Sequence, residues 1–315
     1  MGCSRLLGPL LLAVAPVAVA LLATGCEPRS DAAPPPPDAP TALPDSVLHP
    51  PDTATARRFA SLMAYGQERA DSTDSVGRLM QALGTQFEDA PYLEGTLDTV
   101  DTETLVVRLD GFDCVTFIET TFAMARGLAA GDTTYAGFAR RLAEQRYRDG
   151  RLQGYCSRLH YLTEWMADNE DRGLVRRLGD ELGGRPLADT LDFMSTHRSA
   201  YNRFATDDSL FACIQDMEAA LLARQQRDPV RYIPQDSIRA VYDQLRAGDI
   251  VGMATSIEGL DVSHSGLVYA QEDGGRGLLH ASLSDGIVVS PDLQRYVQTI
   301  DNQIGIVVAR PRPAP

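Results

Sequence analysis

The chain contains no lysine, so all 29 of its basic residues are arginines. This absence excludes a lysine nucleophile and a Schiff-base mechanism, because both need a primary side-chain amine. The arginines are outnumbered by 43 acidic residues, which leaves a formal net charge of −14. An acidic balance of this size argues against nucleic acid as a partner. Only five cysteines and five histidines are present, so few side chains can supply a nucleophile or a general base.

The first 26 residues have the pattern of an export signal. Arg5 precedes an apolar run over residues 6–23, and such a segment is removed after export rather than kept as a membrane span. The run leads into Gly25-Cys26, which resembles a bacterial lipobox. This resemblance implies that Cys26 is lipidated and becomes the first residue of the mature chain. An ordinary signal peptide with an unrelated cysteine is the alternative.

Residues 27–52 are rich in proline, alanine and aspartate, with four consecutive prolines at 34–37. This composition predicts an extended, disordered tether. Glu27 takes the place of the aspartate that marks retention in the inner membrane, which favours the outer membrane. We therefore expect an exported protein that is anchored by lipid at Cys26, with a domain over residues 53–315 that faces the periplasm.

Helical spacing of apolar residues dominates the first two thirds of that domain, and short β-runs separated by turns follow it. Helices first and antiparallel strands second indicate an α+β fold. Helices are predicted over residues 53–83 with a break at 70–73, and over 114–127, 134–147, 157–168, 187–201, 207–224, 235–245 and 292–297. Strands are predicted over residues 104–109, 249–254, 264–270, 277–283, 286–290 and 304–310.

Cys114 lies in the segment LDGFDCVTFIETT at residues 109–121, behind a turn and at the head of a helical pattern. Asp113 is a suitable N-cap, so Cys114 falls in the first helical turn. The partial positive charge of a helix N-terminus favours the thiolate, which is the nucleophilic form. Cys114 is therefore a candidate nucleophile, and an inert, half-buried cysteine is the alternative.

His264 and His280 are candidates for the base and its orienting partner. His264 begins a predicted strand in SHSGLVYA, and His280 lies in the next strand, in LLHASL. If the two strands form a hairpin through the turn at 271–276, their imidazoles come within reach of each other. A strand-borne imidazole beside Cys114 would take the thiol proton, and a second polar group would hold its tautomer. Structural histidines are the alternative at both positions.

Three cysteines remain if Cys3 leaves with the signal and Cys26 carries lipid. In an oxidising compartment, a disulfide between Cys156 and Cys213 would leave Cys114 free to react. Three reduced, buried thiols are the alternative, and the sequence does not decide between the two.

Together the segments resemble the NlpC/P60 papain-like peptidoglycan hydrolases, and in particular the DUF1460 family of N-acetylmuramoyl-L-alanine amidase-like proteins. The resemblance covers residues 55–312. It is carried by DCVTFIET at 113–120, YRDGRLQGYCSRLHYLTEWMADN at 147–169, GLDVSHSG at 259–266, LLHAS at 278–282 and IGIVVAR at 304–310. The resemblance implies a papain-like α+β core with an antiparallel sheet and additional helices.

The same resemblance implies that Cys114 is the nucleophile, His264 the general base and His280 the orienting third residue. It also implies that no metal or other cofactor takes part. The implied reaction cuts the amide between the lactyl group of N-acetylmuramic acid and L-alanine of the peptidoglycan stem peptide, through a thioester on Cys114.

The segment around residues 155–165 offers candidate substrate-binding side chains. Arg158 suits a peptide carboxylate, while Tyr161 and Trp165, the only tryptophan, suit the apolar face of a sugar. His160 and Glu164 are four residues apart and would share a helix face. A packed amphipathic helix with no role in binding is the alternative.

Three rival functions remain open at this point. A zinc amidase could use His160, His197, His264 and His280, although no HExxH motif or similar spacing is present. A lipoprotein that only binds cell-wall fragments would not depend on Cys114. An NlpC/P60-type endopeptidase would cut within the stem peptide with the same catalytic residues.

Overall fold

The computed structural model describes residues 50–70, 75–99, 102–187 and 190–312. The predicted export signal at 1–26, the lipidation at Cys26 and nearly all of the tether at 27–52 lie outside these residues. Among the described residues, no helix combines the length and the apolar character that crossing a membrane requires.

The helices begin where a short polar side chain can cap them. Asp52, Ser75 and Thr134 each accept hydrogen bonds from the first turn of the helix that follows, as N-cap residues do. The helices are α1 (Thr53–Gln67), α2 (Val76–Gly84), α3 (Cys114–Ala129), α4 (Tyr135–Arg146), α5 (Leu162–Asp171), α6 (Phe193–Thr196), α7 (Asp208–Arg227) and α8 (Leu293–Thr299). A 3₁₀ helix covers Gln235–Gln244, and shorter 3₁₀ turns lie in the connections.

The strands form one antiparallel sheet in the order β2-β3-β8-β4-β5-β6-β7, and β1 also pairs with β8. They are β1 (Val175–Arg177), β2 (Arg185–Pro186), β3 (Arg231–Pro234), β4 (Ile250–Thr255), β5 (Val262–Ala270), β6 (Arg276–Ser282), β7 (Gly286–Ser290) and β8 (Gln303–Pro311). Hairpin pairing of β4 through β7 is local in sequence, whereas β8 closes the sheet by inserting between β3 and β4.

The two faces of the sheet bury different sets of side chains. Leu267 and Leu279 pack with residues of α2 and α3 on one face. Val268 and Leu278, each one residue away, pack with α8 and the Gln235–Gln244 helix on the other. This alternation is what the period-2 geometry of a strand demands. A third cluster gathers α7 around Tyr155, Tyr161 and Phe204.

The α+β class and the antiparallel sheet are confirmed, and so are most of the predicted elements. The break in the first helical segment falls between α1 and α2, and α3 begins at Cys114. The five predicted strands from residue 249 onward appear as β4 to β8, with small shifts at their ends.

Three predicted elements differ from the structure. Residues 104–109 belong to no strand. Their backbone bonds with side chains instead of a neighbouring strand, because Arg146 donates to the carbonyl oxygen of Val106 at 2.7 Å. The predicted helix at 157–168 starts only at Leu162, since Tyr155–Ser157 form a 3₁₀ turn and Arg158 is extended. Of residues 187 and 190–201, which the structure describes, only the short α6 and one 3₁₀ turn are helical.

Strands β1, β2 and β3 are not predicted from the sequence. These strands are two to four residues long and carry arginine and proline, so they lack the alternating apolar pattern of a strand. β1 and β3 pair with β8, which lies far away in sequence, and β2 pairs with β3.

Candidate active site

Cys114 opens helix α3 in the way the sequence predicts. Asp113 is the N-cap, and its carboxylate accepts hydrogen bonds from the backbone of Val115 at 3.0 Å and of Thr116 at 2.7 Å. The Thr116 hydroxyl accepts one in return from the Asp113 backbone at 3.0 Å, which completes a capping box. The first residue of this helix is therefore held in a fixed orientation.

The thiol of Cys114 meets strand β5 at Ser265, the residue next to His264. The hydroxyl and backbone N–H of Ser265 lie close enough to lower the pKa of the thiol, although the hydroxyl forms no full hydrogen bond to a described group. Burial and the neighbouring Asp113 carboxylate outweigh them and raise the pKa of Cys114 to about 11. The expectation of a resting thiolate is therefore wrong, because desolvation exceeds the effect of the helix N-terminus.

His264 and His280 come together as the sequence predicts. Strands β5 and β6 form an antiparallel hairpin in which Gly266 lies opposite His280. His264 Nε2 lies 2.9 Å from His280 Nδ1, and His280 Nε2 lies 3.0 Å from the hydroxyl of Ser290 on β7. We assign the tautomers so that each Nε2–H donates along this chain, which leaves Nδ1 of His264 as an acceptor.

Both imidazoles are neutral at pH 7. Burial and the nearby His280 lower the pKa of His264 to about 3. Burial lowers the pKa of His280 to about 4, against a smaller opposing effect of Asp285. The site therefore holds a neutral thiol and neutral imidazoles, and His264 can accept a proton.

Two tyrosines that the sequence did not single out flank this cluster. The ring of Tyr296, on α8, lies 4.7 Å from that of His280 and 6.0 Å from that of His264. Burial, and then the Cys114 thiol, raise the pKa of Tyr296 to about 12. Burial, Cys114 and Asp113 raise the pKa of Tyr92 as well. Neither tyrosine stands in a motif, so no local signal could have marked it.

The candidate substrate-binding residues at 155–165 lie in the interior. Trp165 is 1% exposed and packs edge-on against Phe122, so its ring cannot stack on a sugar. Tyr161 is equally buried, and its hydroxyl donates to Glu218 at 2.7 Å. Their interpretation as a substrate-binding wall is therefore corrected by their burial.

Arg158 and His160 are also engaged by the protein itself. Arg158 is buried and pairs with Asp98 at 2.7 Å and Glu103 at 3.2 Å. Nε2 of His160 lies 3.0 Å from the carbonyl oxygen of Tyr155, and burial followed by the charge of Arg158 lowers its pKa to about 3. Neither side chain is free to hold a substrate carboxylate in this conformation.

A disulfide joins Cys156 to Cys213 on α7, with their Cα atoms 6.2 Å apart, and Cys114 is a free cysteine. The bond closes 57 residues of sequence and ties the Tyr155–Ser157 turn to α7. For the zinc alternative, the described ranges contain no group of three or more His, Cys, Asp or Glu side chains arranged to hold a metal ion.

The comparisons with known proteins identify the family. The AmiA-like family of N-acetylmuramoyl-L-alanine amidase-like proteins matches residues 82–306, and the chain belongs to this family. No curated protein matches the chain in sequence.

Solved structures agree with this assignment. An N-acetylmuramoyl-L-alanine amidase from Bacteroides uniformis has 29% identity and a TM-score of 0.69, over 75% of this chain and 99% of that one. A Bacteroides fragilis structure with a provisional xylanase name has 34% identity and a TM-score of 0.65, over 72% and 98%. A Legionella pneumophila protein of the DUF1460 family shares the fold at 18% identity and a TM-score of 0.60, over 82% and 96%.

Proposed function

We propose that the protein is a cysteine-dependent N-acetylmuramoyl-L-alanine amidase that acts on peptidoglycan fragments. The observation that carries the proposal is the cluster of Cys114 beside Ser265, and His264 hydrogen-bonded to His280 at 2.9 Å. A nucleophile, a base and an orienting group are the three parts that acyl transfer to cysteine needs. The amidase name of the Bacteroides uniformis relative supports the choice of bond.

In the proposed mechanism, Nδ1 of His264 takes the proton of the Cys114 thiol while the sulfur attacks the lactyl carbonyl carbon. Because the thiol and the imidazole both rest neutral, this proton moves during the attack rather than before it. His280 accepts the Nε2–H of His264 and stabilises the imidazolium that forms. The backbone N–H of Cys114, at the start of α3, donates to the developing oxyanion.

The intermediate then collapses. The carbon–nitrogen bond breaks, and the His264 imidazolium gives its proton to the nitrogen of L-alanine, which leaves as a free amine. A water molecule next loses a proton to Nδ1 of His264 and attacks the thioester carbonyl. The carbon–sulfur bond breaks, the lactyl group leaves as a carboxylic acid, and the proton returns to Cys114.

We also propose that the N-terminal segment exports the chain and that lipid at Cys26 anchors it to the outer membrane, facing the periplasm. The support is the sequence of residues 1–26 and the proline-rich stretch that follows. A periplasmic location would place the domain beside peptidoglycan. In the same way, we propose that the core is the papain-like core of the NlpC/P60 superfamily, on the strength of the motifs around Cys114, His264 and His280.

The test is mass spectrometry of purified muropeptides after incubation with the full-length protein. Parallel samples contain the Cys114→Ala variant or EDTA. We expect free stem peptide and unsubstituted disaccharide from the wild type, with and without EDTA, and neither product from the variant.

Each other outcome favours a rival function. Cleavage that survives Cys114→Ala but stops with EDTA would indicate a metal-dependent amidase. Products cut within the stem peptide would indicate an endopeptidase with the same cysteine. Muropeptides that bind but remain intact, with the Cys114 thiol verified as reduced, would indicate a binding lipoprotein.

A further inference from the structure

Strand β5 carries an irregularity immediately before His264. In its pairing with β4, His264 lies opposite Met253, but the next pair joins Val262 to Ala254. Ser263 is therefore an extra residue without a partner on β4, which is the definition of a β-bulge. Because neighbouring side chains in a strand point to opposite faces, this bulge sets the residue at which the regular alternation of β5 begins. That residue is His264.

A buried carboxylate holds the chain just before the bulge. Asp261 is 1% exposed, and its Oδ1 accepts a hydrogen bond from the Val262 backbone at 2.7 Å. Its Oδ2 accepts two more from Thr163, from the backbone N–H at 2.8 Å and from the hydroxyl at 2.6 Å. Its backbone carbonyl accepts from the Thr255 N–H at 3.3 Å. The residue before β5 is thus tied on three sides.

Thr163 is the second residue of helix α5, whose N-cap residue, Tyr161, supplies no side-chain cap. Asp261 therefore caps α5 from a point about 100 residues away in sequence. Burial raises the pKa of Asp261, and the donors of Thr163 and Val262 at the helix N-terminus oppose that rise by stabilising the carboxylate. Among the described residues, no arginine or histidine pairs with Asp261 within 4.0 Å, so the helix end is its principal electrostatic partner.

We propose, building on the function proposed above, that Asp261 is a positioning residue for His264. By joining the bulge of β5 to the N-terminus of α5, it fixes where β5 enters the regular ladder. It thereby holds the His264 ring in place for its hydrogen bond to His280 and for the Cys114 thiol. Asp261 touches no reacting atom, and it acts through the backbone.

The test compares Asp261→Ala with Asp249→Ala. Asp249 is the control, because it is also 1% exposed, also precedes a strand of the same sheet and also accepts a backbone hydrogen bond, from Arg246 at 2.8 Å. Unlike Asp261, it also pairs with an arginine, Arg310, at 2.7 Å, so its loss should cost stability without touching the bulge. It lies before Ile250, at the end of β4 that is remote from His264. Both variants lose a buried carboxylate, but only the first loses the tie to the bulge.

Two readouts separate positioning from simple stability. The first is kcat and KM for muropeptide cleavage, measured below the Tm of each variant. The second is the rate at which iodoacetamide alkylates Cys114 across pH, located by peptide mapping, which requires no cleavage activity. The tautomer and titration of His264, observed by NMR, accompany the second readout.

For Asp261→Ala we expect a loss of about 10- to 100-fold in kcat with little change in KM, because a small displacement of a base is costly. The pKa of His264 should rise toward about 6.5 as its ring becomes exposed, and the alkylation profile should follow. Asp261→Asn keeps one acceptor oxygen for Thr163 and should recover part of the loss. Asp249→Ala should lower Tm but keep kcat and both pH profiles.

The proposal is overturned if Asp261→Ala keeps the wild-type kcat and the wild-type His264 titration, or if Asp249→Ala changes both equally. Should Asp261→Ala not fold, Thr163→Val removes only the hydroxyl donor and must shift the same two readouts in the same direction. A wild-type protein that cleaves no muropeptide would refute the proposed function. The alkylation and NMR profiles would still decide the role of Asp261.

Discussion

Two regions of this molecule are rich in ionisable and aromatic side chains, and those side chains have different partners in each region. In the segment at residues 155–165, Arg158 pairs with Glu103 and Tyr161 donates to Glu218, while Glu164 Oε2 and Trp165 Nε1 are buried without a hydrogen bond to a described group. In the cluster of Cys114, His264 and His280, the two imidazoles contact each other, and the thiol lies beside Ser265, the residue next to His264 in β5. The segment at 155–165 has the residue types of a binding site, whereas the cluster has the three-dimensional arrangement of one.

The difference lies in what satisfies each buried group. A buried ion pair such as Arg158 with Glu103 holds both charged groups away from a substrate. The imidazole pair is a chain that ends in a hydroxyl on one side and an open ring nitrogen on the other. The Cys114 thiol lies beside Ser265, the residue next to His264, and such a grouping of ionisable side chains is a feature of a reaction site rather than of a packed core.

The largest effect should come from Cys114→Ala. Removing the sulfur should lower the rate of muropeptide cleavage by at least about 10⁴-fold, since nothing else in the cluster can form the thioester. The Tm should stay within about 1 °C, because only the sulfur atom is removed and the helix cap at Asp113 is kept. Product formation and a thermal melt of the same sample check both halves. Slow but measurable cleavage by the variant would show that Cys114 is not the nucleophile, and the contrast between the two regions would be lost.

The next largest effect, on stability, is expected in the segment at residues 155–165. Arg158→Met keeps the length of the side chain but leaves the Glu103 and Asp98 carboxylates without this partner. We expect a loss of about 3 to 5 kcal/mol in the free energy of unfolding. The kcat of the remaining folded protein should be unchanged.

Arg108→Met is the control, because the Arg108–Asp110 pair is exposed and should be worth only about 0 to 1 kcal/mol. Urea unfolding measures both variants. If Arg158→Met lowers kcat while the protein is fully folded, Arg158 contributes to substrate binding or to the reaction.

Loss of the disulfide should have a smaller effect of the same kind. Replacing Cys156 and Cys213 together by serine removes a cross-link over 57 residues and should cost about 2 to 4 kcal/mol of unfolding free energy. Cleavage at 25 °C should continue at the wild-type rate, because the bond joins the Tyr155–Ser157 turn to α7 and not to the cluster. A parallel fall in kcat would show that the two regions are coupled.

The last effect appears only at acid pH, and it involves histidines of both regions. His160 and His264 titrate near 3 in the folded protein and His280 near 4, against about 6.5 when unfolded. Between these values the unfolded chain binds more protons, so stability falls as the pH falls from about 6.5 to about 4.

Both His160→Gln and His280→Gln should make this dependence shallower, but only His280→Gln should also lower kcat. Tm measured at several pH values, with kcat at pH 7, provides the comparison. An unchanged pH dependence in both variants would mean that other groups cause the acid instability.

The sequence was most informative where function depends on local pattern. The capping box at Asp113 and Thr116, and the hairpin of β5 and β6, follow from spacing within a few residues. The burial of Trp165 and the partners of Arg158 depend on contacts with distant segments, so spacing could not reveal them. The prediction of a Cys114 thiolate is wrong for a related reason. The helix N-terminus can be recognised in the sequence, but the desolvation of the thiol cannot.

The most direct test of the central claim is the mass of the covalent intermediate on Cys114. The full-length protein is mixed with a purified disaccharide-peptide fragment, quenched in acid within its first turnovers, digested and mapped. We expect the Cys114 peptide to gain the mass of the disaccharide with its lactyl group and to carry no amino acid. An adduct that includes L-alanine would contradict the proposed amidase mechanism, as would turnover without any adduct on Cys114.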